Sequence, residues 1–384
     1  MKEFIYLDHA ATTPMHPSVI DKMTEAMQNA YGNASSVHQL GRRSKGLLEE
    51  ARQVFASSIN AHPTEIVMTS GGTESDNMAI LKTAETCAAQ GKHVITTSIE
   101  HPAVKEPISE LEARGFEITV LPVNQEGRIS VQQVIEALRP DTILVSVIYG
   151  NNEIGSLMPI TEIGQYLKTL DHQVIFHTDA VQAYGTEVID VKEQGIDLLS
   201  VSSHKINGPK GVGFLYVNRK LSLPAMMTGG EQESRRRAGT ENIPGILGFQ
   251  EAVKIRMQEK NNVRAAYQDL KDNFLKEMDN SSIEYAVNGS LDHSLPHILS
   301  VHIKGVQAEK LLIHLDLAHV AVSTGSACSA GNVDPSPVLE ALHGQGHPAV
   351  AETLRFSFGY GLTREQVVSV VLILEKAVAF LKEK

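Results

Sequence analysis

The chain has 384 residues, 42% hydrophobic and 21% charged, which suits two or three soluble domains better than one ordinary core. Its formal charge of −11 argues against broad binding to nucleic acid or anionic membrane, yet leaves room for a local basic site for a small phosphate. Two cysteines, Cys87 and Cys328, rule out a disulfide framework and suit a reducing, cytoplasmic setting.

In chain order, MKEFIYLDHAATTP breaks its short apolar stretch with Lys2, Glu3 and Asp8, so it does not read as a signal peptide. Seven β-rich runs follow: EIVMTS (65–70), HVITTS (93–98), EITVLPV (117–123), TILVSVIY (142–149), QVIFHTD (173–179), LLSVSS (198–203) and GFLYVN (213–218). Helical patterns such as ESDNMAILKTAETCAAQ and SVQQVIEAL lie between most of them. Near-continuous apolar strands with helical crossovers predict an α/β fold with a mostly parallel sheet covered on both faces. After about residue 256 the texture changes. NNVRAAYQDLKDNFLKEM spaces Val263, Tyr267, Leu270, Phe274 and Met278 at three and four, an amphipathic helix. Strand-like HILSVHI and helical AEKLLIHLDL come next, then a last helix begun by Thr363 with Gln366 three residues on, a capping-box spacing. The most apolar stretch, VVSVVLIL (367–374), meets Glu375 and Lys376 and is too short to span a bilayer.

Three strand ends carry candidate chemistry. TSGGTESDN (69–77) opens a helix, where Gly71, Gly72 and Thr73 form either a phosphate cup or a plain helix start. It lacks the endings that mark ATP and dinucleotide loops. In HTDAVQAYG (177–185), Asp179 is either an N-cap or the partner of a buried cationic nitrogen. In SVSSHKINGPKGVG (200–213), Lys205 stands behind Ser202 and His204 and ahead of a Gly-Pro turn. An anion cup, a carboxylate and an amine are together the parts that pyridoxal phosphate needs for its phosphate, ring nitrogen and aldehyde.

With those residues in place, the chain resembles the cysteine desulfurases of the NifS/IscS type, within the fold-type I pyridoxal-phosphate enzymes and the class-V aminotransferase family. The matching stretches are YLDHAATTP (6–14), GNASSVH (32–38), TSGGTESDN (69–77), IEHPAV (99–104), NNEIG (151–155), DAVQ (179–182), SSHKINGPKGVG (202–213), RRRAGTEN (235–242), STGSACS (323–329) and RFSFG (355–359). The resemblance implies that Lys205 bonds the cofactor aldehyde and that Asp179 partners the ring nitrogen. It implies that His101 stacks on the ring, that Gln182 meets the phenolic oxygen, and that Gly72, Thr73, Ser202 and His204 hold the phosphate. Thr240 is similar to a threonine that reaches the phosphate of the other subunit in a homodimer, and Asn152 and Arg355 to residues that hold the substrate carboxylate. Read alone, His101 is an ordinary helix-start histidine, Arg355 an edge-strand arginine in water, and Arg235, Arg236 and Arg237 a solvated patch.

Cys328 lies among Ser, Gly, Ala, Asn and Pro, a loop composition that rarely stores a thiol for packing, whereas Cys87 sits in a helical pattern and reads as structural. The motif resembles the first desulfurase group, with Ser-x-Gly-Ser-Ala-Cys on a long loop. The implied fold is a large domain over 14–256 with a seven-stranded sheet. A smaller α+β domain over 257–384 carries the Cys328 loop, with segment 1–13 packed on it. The implied activity is removal of sulfur from L-cysteine, giving L-alanine and a persulfide on Cys328. The implied acceptors are iron–sulfur scaffold proteins or tRNA-thiolating enzymes, with no metal, membrane or direct nucleic-acid ligand. A selenocysteine lyase and another fold-type I aminotransferase are the alternatives.

Overall fold

The computed structural model describes residues 4–325 and 335–383. In chain order its first eight strands are β1 (Ile5–Tyr6), β2 (Ile66–Thr69), β3 (His93–Thr97), β4 (Glu117–Leu121), β5 (Thr142–Ser146), β6 (Ile175–Asp179), β7 (Leu198–Ser202) and β8 (Gly213–Val217). The seven runs expected from sequence are β2 to β8, and they form one sheet in the order β2-β8-β7-β6-β5-β3-β4. The five strands from β7 to β4 in that order run parallel, while β8 is antiparallel to both β2 and β7. Every strand but the edge strand β4 is buried along its whole length. Burial on both faces is why these runs are almost continuously apolar. Helix Gly72–Cys87 packs over β7 and β8. Helix Gln39–Ser58 meets the long helix Ile243–Asn280 through Phe55, whose ring lies 4.5 Å from Phe249 and 5.5 Å from Phe214 of β8.

The remaining strands are β9 (Tyr285–Asn288), β10 (Ile298–Ile303), β11 (Val320–Ala321) and β12 (Thr353–Ser357). β12-β10-β9 make an antiparallel sheet, and β11 pairs in parallel with β1. This sheet, with helices Ala308–Leu317 and Arg364–Lys382, builds a second core around Phe274, Leu299, Phe356, Phe358 and Leu374, which Leu7 joins from the N-terminal segment. Thr363 caps the last helix in the expected reciprocal manner with Gln366. The change of texture near residue 256 falls inside helix Ile243–Asn280, 38 residues long. Its Phe249 and Val253 belong to the larger core, its Phe274 and Met278 to the smaller. Among the described residues no helix is long and apolar enough to cross a membrane.

Candidate active site

Ligands of open parallel sheets bind beyond the carboxyl ends of the strands. Here the chain leaving β2, β3, β5, β6 and β7 delivers Gly72, His101, Asn152, Asp179 and Lys205 to one cavity of about 280 Å³, and β12 adds Arg355 from the second core. Thr73, Gln182, Ser202 and His204 line the same cavity. The sequence therefore names most of its wall.

At the anion end, Gly71 at φ 150° turns the chain into helix Gly72–Cys87, and among the described residues no side chain caps that helix start. A Cβ on Gly72 would lie 2.7 Å from Val181 Cγ2, so the close approach of the two loops requires glycine. The uncapped amides and the helix dipole make a seat for a phosphate. Glu74, in the first turn, is paired with Arg237 at 2.9 Å. Across the cup, His204 Nδ1 lies 3.1 Å from Thr12 Oγ1, and burial, with Lys205 and Lys210 nearby, pushes the imidazole down to about 4.

Asp179 is only 4% exposed. Its Oδ1 accepts from Val181 N at 2.9 Å, so it caps a turn and faces the cavity at once. Burial, then the neighbouring Asp76 carboxylate, pushes Asp179 above the usual carboxylate range. No lysine or arginine pairs with it among the described residues. Burial likewise lifts Asp76 to about 7 and Glu100 to about 8, and depresses the buried His177 to about 4. This dry, acid-rich floor fits a cationic ring nitrogen, whose charge would return Asp179 to its ionised form.

Lys205 ends the single 3-10 turn Ser203–Lys205 that follows β7. Its Nζ donates to the carbonyls of Ala10 at 2.6 Å and Ala11 at 2.8 Å. Gln182 Nε2 donates to the same Ala10 carbonyl at 2.9 Å. His101 is both readings at once: its Nδ1 accepts from Ala103 N at 3.1 Å as the cap of helix Pro102–Ala113, and its ring lines the cavity. Burial lowers its pKa, opposed by Asp179.

Arg355 lies on an edge strand, yet its head is not in water. It is 4% exposed, with Nη2 donating to Asp8 Oδ1 at 2.8 Å and Nη1 to Asn152 O at 2.9 Å. Its Nε is buried without a partner among the described residues. A guanidinium so placed suits a carboxylate entering beside Asn152.

Thr240 is exposed and away from this cavity. Cys328 lies outside the described residues, but Gly325, three positions before it, lines the cavity. Cys87 is buried in its helix, and Arg235 and Arg236 stay clear of the site. Sequence reasoning did not single out Asp8, Asp76 or His297, which lies 3.3 Å from Gln182 Oε1. Asp8 and Asp76 sit inside YLDHAATTP and TSGGTESDN, so the signal was present without a role attached; His297 carries none. The uncapped helix start, the buried unpaired acid and the cavity-facing lysine fit pyridoxal phosphate, and Arg355 provides for an acid substrate.

The description "Aminotransferase class-V" matches residues 5–370. A putative cysteine desulfurase IscS 1 of Bacillus subtilis (strain 168) is 52% identical over 365 residues, covering 95% of this chain and 96% of the relative. The cysteine desulfurase IscS of Dictyoglomus turgidum is 42% identical over 382 residues, covering 100% and 96%. Among solved structures, a NifS-like protein superposes with a TM-score of 0.92 at 30% identity, over 98% of this chain and 100% of that one.

Proposed function

We infer how the cavity works from one premise: the chain belongs to the class-V aminotransferase family and is a cysteine desulfurase that depends on pyridoxal 5′-phosphate. When bound, the cofactor supplies an aldehyde for an amine and a ring that takes up electrons from the substrate's α-carbon. Lys205 Nζ is the amine that would bond the aldehyde, and the same amine is placed to take the substrate's α-proton. Asp179 would keep the ring nitrogen protonated, His101 would cover the ring, and Gln182 would offer an N–H to the ring oxygen. Gly72, Thr73, Ser202 and His204 would hold the phosphate. Thr240, exposed and distant in its own subunit, would do so for a second copy in a homodimer.

Arg355 and Asn152 fix the carboxylate of L-cysteine. Cys328, as a thiolate, then attacks the substrate sulfur. The S–S bond forms as the C–S bond breaks with its electron pair left on carbon; a proton at Cβ and the return of the α-proton held by Lys205 then complete L-alanine. Three residues of extended chain span roughly 10 Å, so Cys328 is tethered within reach of the cavity that Gly325 lines. An iron–sulfur scaffold or a tRNA-thiolating enzyme is the acceptor class, and a cytoplasmic setting keeps the thiol reduced.

The observation that carries this reading is the convergence of Lys205, Asp179, an uncapped helix start and Arg355 on one cavity. Purified holoenzyme given L-cysteine should release alanine and gain the mass of one sulfur on Cys328. Lys205→Ala should lose the visible absorbance and all turnover. Cys328→Ala should keep the colour but stop sulfide release; full sulfide production by that variant would remove the thiol from the mechanism.

A further inference from the structure

We propose that His297 is a positioning residue that, by donating to Gln182 Oε1, fixes which end of that amide faces the cofactor's ring oxygen. The inference rests on the reading of Gln182 given above.

Gln182 has one carbonyl oxygen and two N–H donors. One N–H goes to Ala10 O at 2.9 Å, which can only accept, so Nε2 must point that way. Oε1 then faces His297 Nε2 at 3.3 Å. Two bare acceptors would repel, so the imidazole proton belongs on Nε2 and Nδ1 is left bare. That Nδ1 is buried with no partner among the described residues. A buried, unsatisfied nitrogen is a cost that an apolar side chain of similar size would not carry, and the bond to Gln182 accounts for its retention. The second Gln182 N–H is thereby left for the cavity the residue lines. Ala10 O also accepts from Lys205 Nζ at 2.6 Å, so the carbonyl that fixes the Gln182 amide is itself held by the lysine.

The surroundings keep this ring neutral. His297 is 8% exposed, and the charged or titratable groups that face it are Arg256, Lys271 and Tyr267 of helix Ile243–Asn280, with the Tyr267 ring 6.2 Å away, His9 of the N-terminal segment, and Lys205. All but Tyr267 are basic. Burial first, and then the basic groups, hold the imidazole down to about 3, so it donates without changing charge across the working range. His297 immediately precedes β10, and its carbonyl accepts from Phe358 N at 2.9 Å. The ring therefore carries a constraint from the smaller core to Gln182, in the turn that follows β6 of the larger sheet.

The test compares His297→Leu, His297→Asn, Gln182→Leu and the Leu/Leu double variant. One readout is pyridoxal phosphate affinity of the apoproteins by equilibrium dialysis. The other is the pH midpoint of the holoenzyme's visible band. A donor to the ring oxygen stabilises its anionic form, so losing it raises the midpoint. His297→Leu should weaken cofactor binding about fivefold, the size of one ordinary hydrogen bond, and raise the midpoint by roughly half a pH unit or more. His297→Asn, which keeps an N–H, should recover most of both. The double variant should match Gln182→Leu alone, because His297 acts through that residue. If Gln182→Leu shifts both readouts and His297→Leu neither, or if the two effects simply add, the role of His297 is overturned while that of Gln182 stands. If Gln182→Leu shifts nothing, the Gln182 reading fails first and His297 falls with it.

Discussion

Asp8 and Arg355 stand 347 positions apart, and their 2.8 Å contact puts a carboxylate of the protein on the guanidinium that must hold the substrate's. With L-cysteine seated, three charges, two negative and one positive, share a largely desolvated corner, where like charges repel strongly. Asp8→Asn should therefore lower KM for cysteine severalfold with little change in kcat. The same variant should melt at a lower temperature without ligand, because Arg355 then loses its carboxylate at 2.8 Å and keeps Glu153 as its nearby acid, and added L-alanine should restore part of the loss. Steady-state kinetics and thermal melts read both effects. An unchanged or higher KM would mean that Asp8 serves binding by orienting the guanidinium. This pair also shows where sequence stops. Lys205 and Asp179 were legible because each stands in a short motif at a strand end, whereas His101 was named only through the family resemblance. At His101 and Asp179 the plain capping role and the cavity-facing role proved compatible, since one ring nitrogen or carboxylate oxygen serves the cap. Asp8 and His297 acquire meaning only from partners that folding brings across the chain, and no local spacing encodes that.

At the level of elements, the seven strands were legible because burial on both faces leaves a strong apolar signal, but their directions were not. GFLYVN reads like its parallel neighbours, yet β8 runs against β7 because the Gly-Pro turn after Lys205 returns the chain at once. The continuity of helix Ile243–Asn280 was hidden as well, since its two halves face different cores and change composition midway. The strap leading to Thr240 has its own logic. Glu233, Ser234 and Arg235 sit at φ 50°, 56° and 64°, a left-handed run that side chains resist. Arg52 holds Glu233 through two 2.7 Å bonds, and Met68 N adds a third at 2.9 Å. Glu233→Gln removes the buried carboxylate and leaves Arg52 to the more exposed Glu49 at 3.3 Å, which costs about 2 kcal/mol. Urea unfolding should show that loss. If the strap presents Thr240 to a second subunit, the variant's cofactor affinity should also fall in the dimer; intact affinity at reduced stability would separate the strap from the phosphate.

Across the whole molecule, the sheet buries acids and histidines whose proton affinities move in opposite directions, and their balance sets a pH profile. Asp76 and Glu100 titrate near 7 and 8 in the folded chain, against ordinary values of 3.8 and 4.5, and Asp179 is raised as well. A raised carboxyl binds its proton more tightly when folded. Its contribution is full below about pH 4 and is lost as pH rises through the folded value. The histidines work the other way. His9, His177 and His204 are lowered to about 4 and His297 to about 3. Their contribution is present above the unfolded value of 6.5 and is lost as pH falls toward 4. Between pH 4 and 6.5 the two slopes oppose each other; from 6.5 to about 8 the acids prevail, and above that the buried Lys271, lowered to about 8, adds stability as pH rises. The apoprotein should therefore lose stability from pH 6.5 to 8, with a fall in Tm of about 2 °C or more by scanning calorimetry. Loading with pyridoxal phosphate should flatten the profile, because a protonated ring nitrogen beside Asp179 rewards its ionised form. Asp76→Asn should flatten it without cofactor, by removing one raised acid and the main charge that raises Asp179. A level apoprotein profile would mean that the floor of the site is already neutralised before the cofactor arrives, and that the pull on a cationic ring comes from elsewhere.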